Sequence, residues 1–236
     1  VPDGYAVHEL EKTLAAPTRL RAKPTFSEMA SFARYVNRFK NEATTVFADR
    51  DRATVTAVID FHESRELPSH CEHVATFVGK LSEAWKAWIG ANRAKMNQVD
   101  FAEFIEANAA DVIEPSGAAL LEVASNLEVN RSVRFKSGIR LHDGRTNLVF
   151  EETTSGPGAK GEVAIPAKIV LAIAPFQGGD PYKVEARLRY RITDDGKVVF
   201  WYDLVRPDVV LRAAFDALVK TFAEAASLDV HHGRFE

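Results

Sequence analysis

The sequence is poor in cysteine and contains no long hydrophobic run, and both absences limit what the chain can be. Its 236 residues include one cysteine, Cys71, which cannot form an intramolecular disulfide and therefore fits a reducing compartment. No segment approaches the roughly 20 consecutive apolar residues that a membrane helix requires. The N-terminal residues also lack the pattern of a signal peptide. We therefore expect a cytoplasmic protein with no membrane partner.

A strong excess of one charge sign is absent as well. The chain has 30 Lys and Arg against 33 Asp and Glu, a formal net charge of -3. No global positive field would therefore gather nucleic acid or an anionic membrane. Any binding of that kind must come from a local patch of basic residues.

What is present is the composition of a folded domain, with 46% hydrophobic and 27% charged residues. No repeat or long linker divides the chain, and residues 155–161 (SGPGAKG) are interpreted as a loop tip. We predict a single α+β domain over residues 1–228, with a helix-rich first half and a strand-rich second half. Residues 229–236 are predicted to form a flexible tail. Because the chain begins with Val1, we expect the natural start to lie upstream.

Apolar stripes at helical spacing predict several helices in the first half. Thr25 and Glu28 have the spacing of a capping box ahead of the first helix. Ser82 and Asn97 are predicted N-caps of the next two helices, and another helix is predicted from Ser116.

The second half changes to the alternating pattern of strands. A tight turn at residues 143–144 (DG) predicts a hairpin in which Ile139 faces Leu148. A longer hairpin is predicted over residues 184–204, with its turn at residues 194–196 (DDG).

The register of the longer hairpin follows from its apolar residues. Placing Leu188 opposite Tyr202, and Tyr190 opposite Phe200, puts the large apolar groups on one face, whereas a slip of one residue would scatter them. A final helix is predicted from Pro207. We therefore predict an α+β fold with an antiparallel or mixed sheet and helices packed on one face. The residues predicted to be buried are Phe32, Val36, Phe101, Phe104, Phe135, Tyr190, Phe200 and Phe215.

The order of several segments resembles the YfdQ-like prophage proteins, a family catalogued as a domain of unknown function. The matching segments cover nearly the whole chain: PDGY at 2–5, SFARYVNRF at 31–39, TVFAD at 45–49, EAWKAWIGAN at 83–92, QVDFAEFIEAN at 98–108, VRFKSGIRL at 133–141, FEETT at 150–154, RLRYRI at 187–192 and FWYDLVRP at 200–207. The resemblance implies an accessory product of a temperate phage, encoded near recombination or replication functions. It carries no catalytic or binding residue to this chain.

Motifs for catalysis, metal binding or phosphate binding have little support. His62, His70, Cys71 and His73 include zinc-type ligands, but their spacing matches no standard zinc pattern. We interpret the histidines as exposed loop residues and expect no metal and no cofactor. No nucleophile elbow occurs, and the lysine of residues 155–161 is not followed by Ser or Thr as in a phosphate-binding loop.

The candidate site is a basic face on the longer hairpin, made of Arg187, Arg189 and Arg191 with Trp201 among them. Arginine beside an exposed indole can stack a base and pair its phosphate, as proteins that bind single strands do. Alternatively, an arginine stacked on Trp201 stabilises the sheet itself. This alternative is favoured, because cross-strand cation–π pairs stabilise sheets by themselves.

The leading hypothesis is a phage accessory protein without catalytic activity that binds single-stranded DNA at recombination or replication intermediates. The alternative is an interaction or assembly protein that forms a homo-oligomer or binds a host protein. A hydrolase or metal enzyme is the third possibility considered. Salt-dependent retention on single-stranded DNA, a salt-insensitive oligomer and stoichiometric zinc would distinguish the three.

Overall fold

A computed structural model of the chain describes residues 10–129, 139–140, 146–149, 162–193 and 197–236. Five α-helices lie in these ranges: α1 (Met29–Phe39), α2 (Glu83–Gly90), α3 (Gln98–Ala107), α4 (Gly117–Val129) and α5 (Pro207–Ala226). Two short 3-10 helices lie at Leu10–Thr13 and Ala109–Asp111. Among the described residues, none of the helices combines the length and the apolar character needed to span a bilayer.

The strands of the described ranges form three sheets. They are β1 (Thr25–Phe26), β2 (Thr45–Asp49), β3 (Thr54–Val58), β4 (Val74–Val78), β5 (Met96–Asn97), β6 (Val112–Glu114), β7 (Ile139–Arg140), β8 (Thr146–Val149), β9 (Glu162–Ile165), β10 (Lys168–Ile173), β11 (Tyr182–Ile192), β12 (Val198–Leu204) and β13 (Val230–His232). The first sheet has the order β1-β4-β3-β2-β13, the second β5-β12-β11-β10-β6, and the third β7-β8-β9. The predicted α+β class is confirmed, with several sheets where one was expected.

The chain divides into two compact units, where the sequence predicted one domain over residues 1–228. The first unit contains Val1–Lys80 and Phe215–Glu236, and the second contains Leu81–Ala214. One boundary falls between β4 and α2 without a long linker, and the other falls inside α5. Neither boundary has the composition of a linker, which is why the sequence did not indicate it.

The sheet of the first unit is mixed: β2, β3 and β4 are antiparallel, and the edge strands β1 and β13 pair in parallel. Alternate residues of the three central strands are buried, as their period of two requires. Phe32 of α1 contacts Phe77 of β4 and Phe222 of α5, with ring centroids 6.3 and 4.8 Å apart. One face of this sheet therefore carries the core of the first unit.

The C-terminal residues belong to this sheet. Val230–His232 pairs in parallel with β2, and the Gly233 N–H donates to the Ala48 carbonyl at 3.0 Å. The prediction of a flexible tail over residues 229–236 therefore differs from the structure. Because β2 pairs with β3 on one side only, its other edge has free backbone groups, and the tail satisfies them.

The sheet of the second unit is antiparallel throughout. Its buried face packs on helices: the Phe101 ring of α3 stacks on Phe200 of β12 at 4.9 Å. Trp88 of α2 contacts Tyr202 at 5.2 Å, and the Tyr202 hydroxyl donates to the Trp88 carbonyl at 2.7 Å. Helices thus cover one face of this sheet, as the sequence predicted.

The predicted N-caps of α2 and α3 are confirmed. The Ser82 hydroxyl accepts the N–H of Trp85 at 3.0 Å, and the Asn97 side-chain oxygen accepts the N–H of Asp100 at 2.9 Å. Ser116 caps α4 in the same way. Each cap satisfies a backbone donor at a helix start that would otherwise lack a partner.

The predicted start of the first helix is wrong. α1 begins at Met29, and the side chain of Glu28 makes no capping hydrogen bond to the backbone. Thr25 instead lies in β1, paired in parallel with Thr76. Pairing with the sheet edge therefore replaces the local capping interaction.

The register predicted for the hairpin at residues 143–144 is also wrong. Ile139 pairs with Asn147 and Arg140 with Thr146, so Ile139 does not face Leu148. Five residues lie between the paired Arg140 and Thr146. A hairpin closed by a two-residue turn has an even number of residues between any two paired positions, so this register does not fit such a turn.

Most of the predicted core residues are buried. Fully buried or nearly so are Phe32, Val36, Phe101, Phe200 and Phe215. Phe104 and Tyr190 are partly buried and pack against the core of the second unit. Phe135 lies outside the described residues.

Candidate nucleic-acid interface

The β11–β12 hairpin carries all four residues of the predicted site. Its register is the predicted one: Leu188 pairs with Tyr202, and Tyr190 with Phe200. The same register makes Arg189 the direct neighbour of Trp201 on the opposite face. Burial of the large apolar side chains on one face fixes this register, because a slip of one residue would expose Phe200 and bury Trp201.

The open face of this hairpin presents a row of arginines. Arg187, Arg189 and Arg191 alternate with inward residues along β11, and all three side chains are exposed. Residues two apart on a strand lie about 7 Å from each other, so the three guanidinium groups follow the strand at regular intervals. Trp201, on the neighbouring strand, is partly exposed.

One acid on this face, Asp203, forms ion pairs with two arginines. Its carboxylate lies 3.5 Å from Nε of Arg189 and 3.3 Å from Nε of Arg93. The ion pair positions the Arg189 guanidinium beside Asp203. In the structure Arg189 pairs with Asp203. It does not stack on Trp201, as the alternative interpretation of this face required. Exposed pairs of this kind contribute little to stability, so Arg189 remains free to exchange Asp203 for another anion.

Two lysines that were not predicted from the sequence enlarge the basic face. Lys183 lies on β11 in alternation with the arginines, and Lys168 of β10 pairs with Arg187 in the sheet register. Lys168 forms an ion pair with Glu185, Nζ to Oε1 2.5 Å. The alternation of residues in YKVEARLRYRI at 182–192 could have placed Lys183 on this face. Lys168 could not be placed there without knowing that β10 pairs with β11.

The basic side chains therefore outnumber the acids on this face. Within the part of the chain that the structure describes, Lys183, Arg187 and Arg191 have no acidic partner in an ion pair. The open face can therefore attract an anion without first breaking an existing salt bridge at these three positions. Such a patch supplies the local positive field that the net charge of the chain does not.

The histidine and cysteine residues do not converge on a common point. The Ser69 N–H donates to Nδ1 of His62 at 3.0 Å, and Cys71 Sγ lies 4.0 and 3.9 Å from the two ring nitrogens of His62. Burial, with a smaller contribution from the Asp60 carboxylate, raises the pKa of the Cys71 thiol, which keeps it protonated at neutral pH. Among the described residues, no three His, Cys, Asp or Glu side chains are grouped so that they could hold a metal ion.

The interpretation of these histidines as exposed loop residues is wrong for His73. His62 and His70 are exposed, but His73 is buried, and its Nε2 lies 2.8 Å from the Tyr35 hydroxyl. Burial lowers the pKa of His73, with the Asp60 carboxylate acting in the opposite direction. The buried ring packs edge-on against Tyr35 and Phe39 of α1, so His73 is a core residue of the first unit. Residues 155–161, interpreted as a loop tip, lie outside the described residues.

Together these features describe an α+β protein with an antiparallel sheet whose open face is basic and carries a partly exposed indole. The chain belongs to the family described as Uncharacterized conserved protein (DUF2303), whose model matches residues 1–235. No curated protein and no solved structure matches the chain.

Proposed function

We propose that the open face of the β11–β12 hairpin binds single-stranded nucleic acid, with single-stranded DNA as the partner. In this proposal the chain acts by binding and catalyses no reaction. The observation that carries the proposal is the row of Arg187, Arg189 and Arg191 with Trp201 as the direct cross-strand neighbour of Arg189.

The chemistry of this face favours a single strand. An unpaired base can stack on a partly exposed indole, whereas the bases of a duplex are already stacked. Guanidinium groups pair with phosphate oxygens through parallel hydrogen bonds. Such contacts read the backbone and not the base sequence, so we expect little sequence preference.

The cellular context that we propose is that of a phage accessory protein acting at recombination or replication intermediates. Its support is the resemblance of the sequence to the YfdQ-like prophage proteins. Mapping the genes that flank the coding sequence tests this context. We expect neighbouring phage replication or recombination genes; a neighbourhood of unrelated housekeeping genes would contradict the proposed context but leave the binding proposal intact.

The binding experiment measures fluorescence anisotropy of a labelled oligo-dT at low salt. Stacking of a base on an aromatic ring contributes about 1 to 3 kcal/mol, so Trp201→Ala should weaken binding by about tenfold or more. Trp201→Phe keeps a ring and should retain part of the affinity. Arg212→Ala is the matched control, because Arg212 is an exposed arginine of α5 that pairs with Asp208 and does not belong to either hairpin strand.

Two results would contradict the proposal. One is a folded wild-type protein that does not bind single-stranded DNA or RNA at low salt. The other is binding that Trp201→Ala and Arg212→Ala change equally. A defined oligomer that persists at high salt, together with no nucleic-acid binding, would favour the interaction or assembly protein instead.

A further inference from the structure

The open face of the first sheet contains a groove of about 620 Å³. Thr56 of β3 and Thr76 of β4 lie in its floor and are direct cross-strand partners. Lys23, the segment from Ser69 to Cys71 and the C-terminal Phe235 line its sides. The groove lies entirely within the first unit.

The two threonines supply unused hydrogen-bond donors. Both side chains are partly buried, and among the described residues neither hydroxyl has a hydrogen-bond partner. Directly opposed residues on neighbouring antiparallel strands have Cβ atoms about 5 Å apart, so one small group can reach both hydroxyls. A polar group in the floor of a groove that lacks a protein partner is suited to a ligand.

The charges around the groove favour an anion. Lys23 is exposed and has no acidic partner in the described part of the chain. Of the described residues that line the groove, Glu236 is the acid, and its Oε1 lies 3.4 Å from Nη1 of Arg234. Because the pKa of Cys71 is raised, its side chain is a neutral thiol that does not repel an anion.

An aromatic side chain borders the polar floor. Phe235 stacks on Phe47 of β2 with ring centroids 5.8 Å apart and packs edge-on against Phe61 at 6.2 Å. These contacts hold the Phe235 ring at the side of the groove. A ligand with a ring next to its charged group would place that ring against Phe235.

We propose that this groove binds a small anionic ligand whose phosphate or carboxylate is held by Lys23, Thr56 and Thr76, and whose ring lies against Phe235. This site is independent of the basic face of the β11–β12 hairpin, which lies in the other unit. Replacing Trp201 therefore leaves it unchanged.

The test follows backbone amide chemical shifts of the 15N-labelled protein during titration with three probes. Phenyl phosphate and benzoate carry the two anionic groups on the same ring, and benzyl alcohol is the neutral counterpart. We expect saturable shifts around Thr56, Ser69 and Thr76 with at least one anion and none with benzyl alcohol. The anion with the lower dissociation constant identifies the preferred group. Equal responses to all three probes, or no response to either anion, would overturn the proposal.

Variants of the groove sharpen the test. A hydrogen bond to a charged group typically changes affinity by about tenfold or more, so Thr56→Val, Thr76→Val and Lys23→Ala should each weaken binding by about that factor. The matched controls are Thr54→Val, on the same face of β3 but outside the groove lining, and Lys80→Ala. Amide spectra that are otherwise unchanged show that each variant is folded. Groove variants that bind as tightly as the controls would overturn the proposal.

Discussion

The two five-stranded sheets follow the same burial pattern but differ in the chemistry of their open faces. In each, alternate side chains of the central strands are buried, and the residues between them lie on the opposite face. The open face of the first sheet carries threonines and a bordering aromatic cluster. The open face of the second carries arginines, lysines and one indole.

This difference shows how one folding rule permits two kinds of surface. Period-two burial fixes the inward residues because they form the core, but it leaves the outward ones free to vary. Short hydroxyl side chains leave room for a groove above the first sheet, which suits a small ligand. Long cationic side chains follow a strand of the second sheet, which suits an extended polyanion.

The largest expected effect is on the buried face of β12. Phe200 is fully buried and stacks on Phe101, so Phe200→Ala should lower the free energy of unfolding by about 3 to 5 kcal/mol. Urea denaturation measures this change. Trp201→Ala, one residue away on the open face, should cost clearly less; equal losses at the two positions would contradict the assignment of faces.

A smaller loss of stability is expected at the start of α4. A Cβ added to Gly117 would lie 2.5 Å from the Ala109 carbonyl oxygen, in the preceding 3-10 helix. Gly117→Ala should therefore destabilise the protein by about 1 to 3 kcal/mol, as expected for overpacking. The measurement is again urea denaturation. A variant at least as stable as wild type would show that α4 is not packed closely on Ala109.

In the first unit, a pH dependence is expected from His73. Its pKa is lowered by burial, whereas in the unfolded chain it is about 6.5. The unfolded state therefore binds the proton more readily, so the stability contributed by neutral His73 is present above about pH 6.5 and is lost as the pH falls below it. Urea denaturation at pH 7.5 and 5.5 should show this loss, and His73→Gln should reduce it. An equal loss in wild type and variant would contradict the assignment.

The smallest effect on stability is expected on the open face of the second sheet. Arg191 is exposed and has no acidic partner among the described residues, so Arg191→Ala should change the free energy of unfolding by less than about 0.5 kcal/mol. Its effect should appear in binding: removing one phosphate contact should reduce the slope of log K against log salt by about 0.7. An unchanged slope would place Arg191 outside the binding face.

The sequence predicted best those features that depend on local pattern. The register of β11 and β12 was predictable because only one pairing gathers Leu188, Tyr202 and Phe200 on one face. The caps at Ser82 and Asn97 were predictable because the donor and the acceptor lie three residues apart. Both kinds of signal are contained in short segments.

Features that depend on distant segments were not predictable in the same way. The tail joins the sheet because β2 has an unpaired edge, and nothing in the sequence of Val230–His232 indicates that edge. His73 is buried because α1 packs over it, so its burial cannot be inferred from the polar loop beside it. The four central residues of the basic face were predicted from the sequence. Lys168 was not, because it lies on another strand.

The most direct test of the proposed nucleic-acid face is the salt dependence of single-stranded DNA binding. Oligo-dT affinity is measured at several salt concentrations for the wild-type protein and for a variant with Arg187, Arg189 and Arg191 all replaced by Ala. Three phosphate contacts predict a slope of log K against log salt of about -2 from these residues, at roughly 0.7 per contact. We expect the wild-type protein to show at least this slope and the triple variant to lose about 2 units of it. A wild-type affinity that does not depend on salt, or a folded triple variant with the wild-type slope, would contradict the assignment.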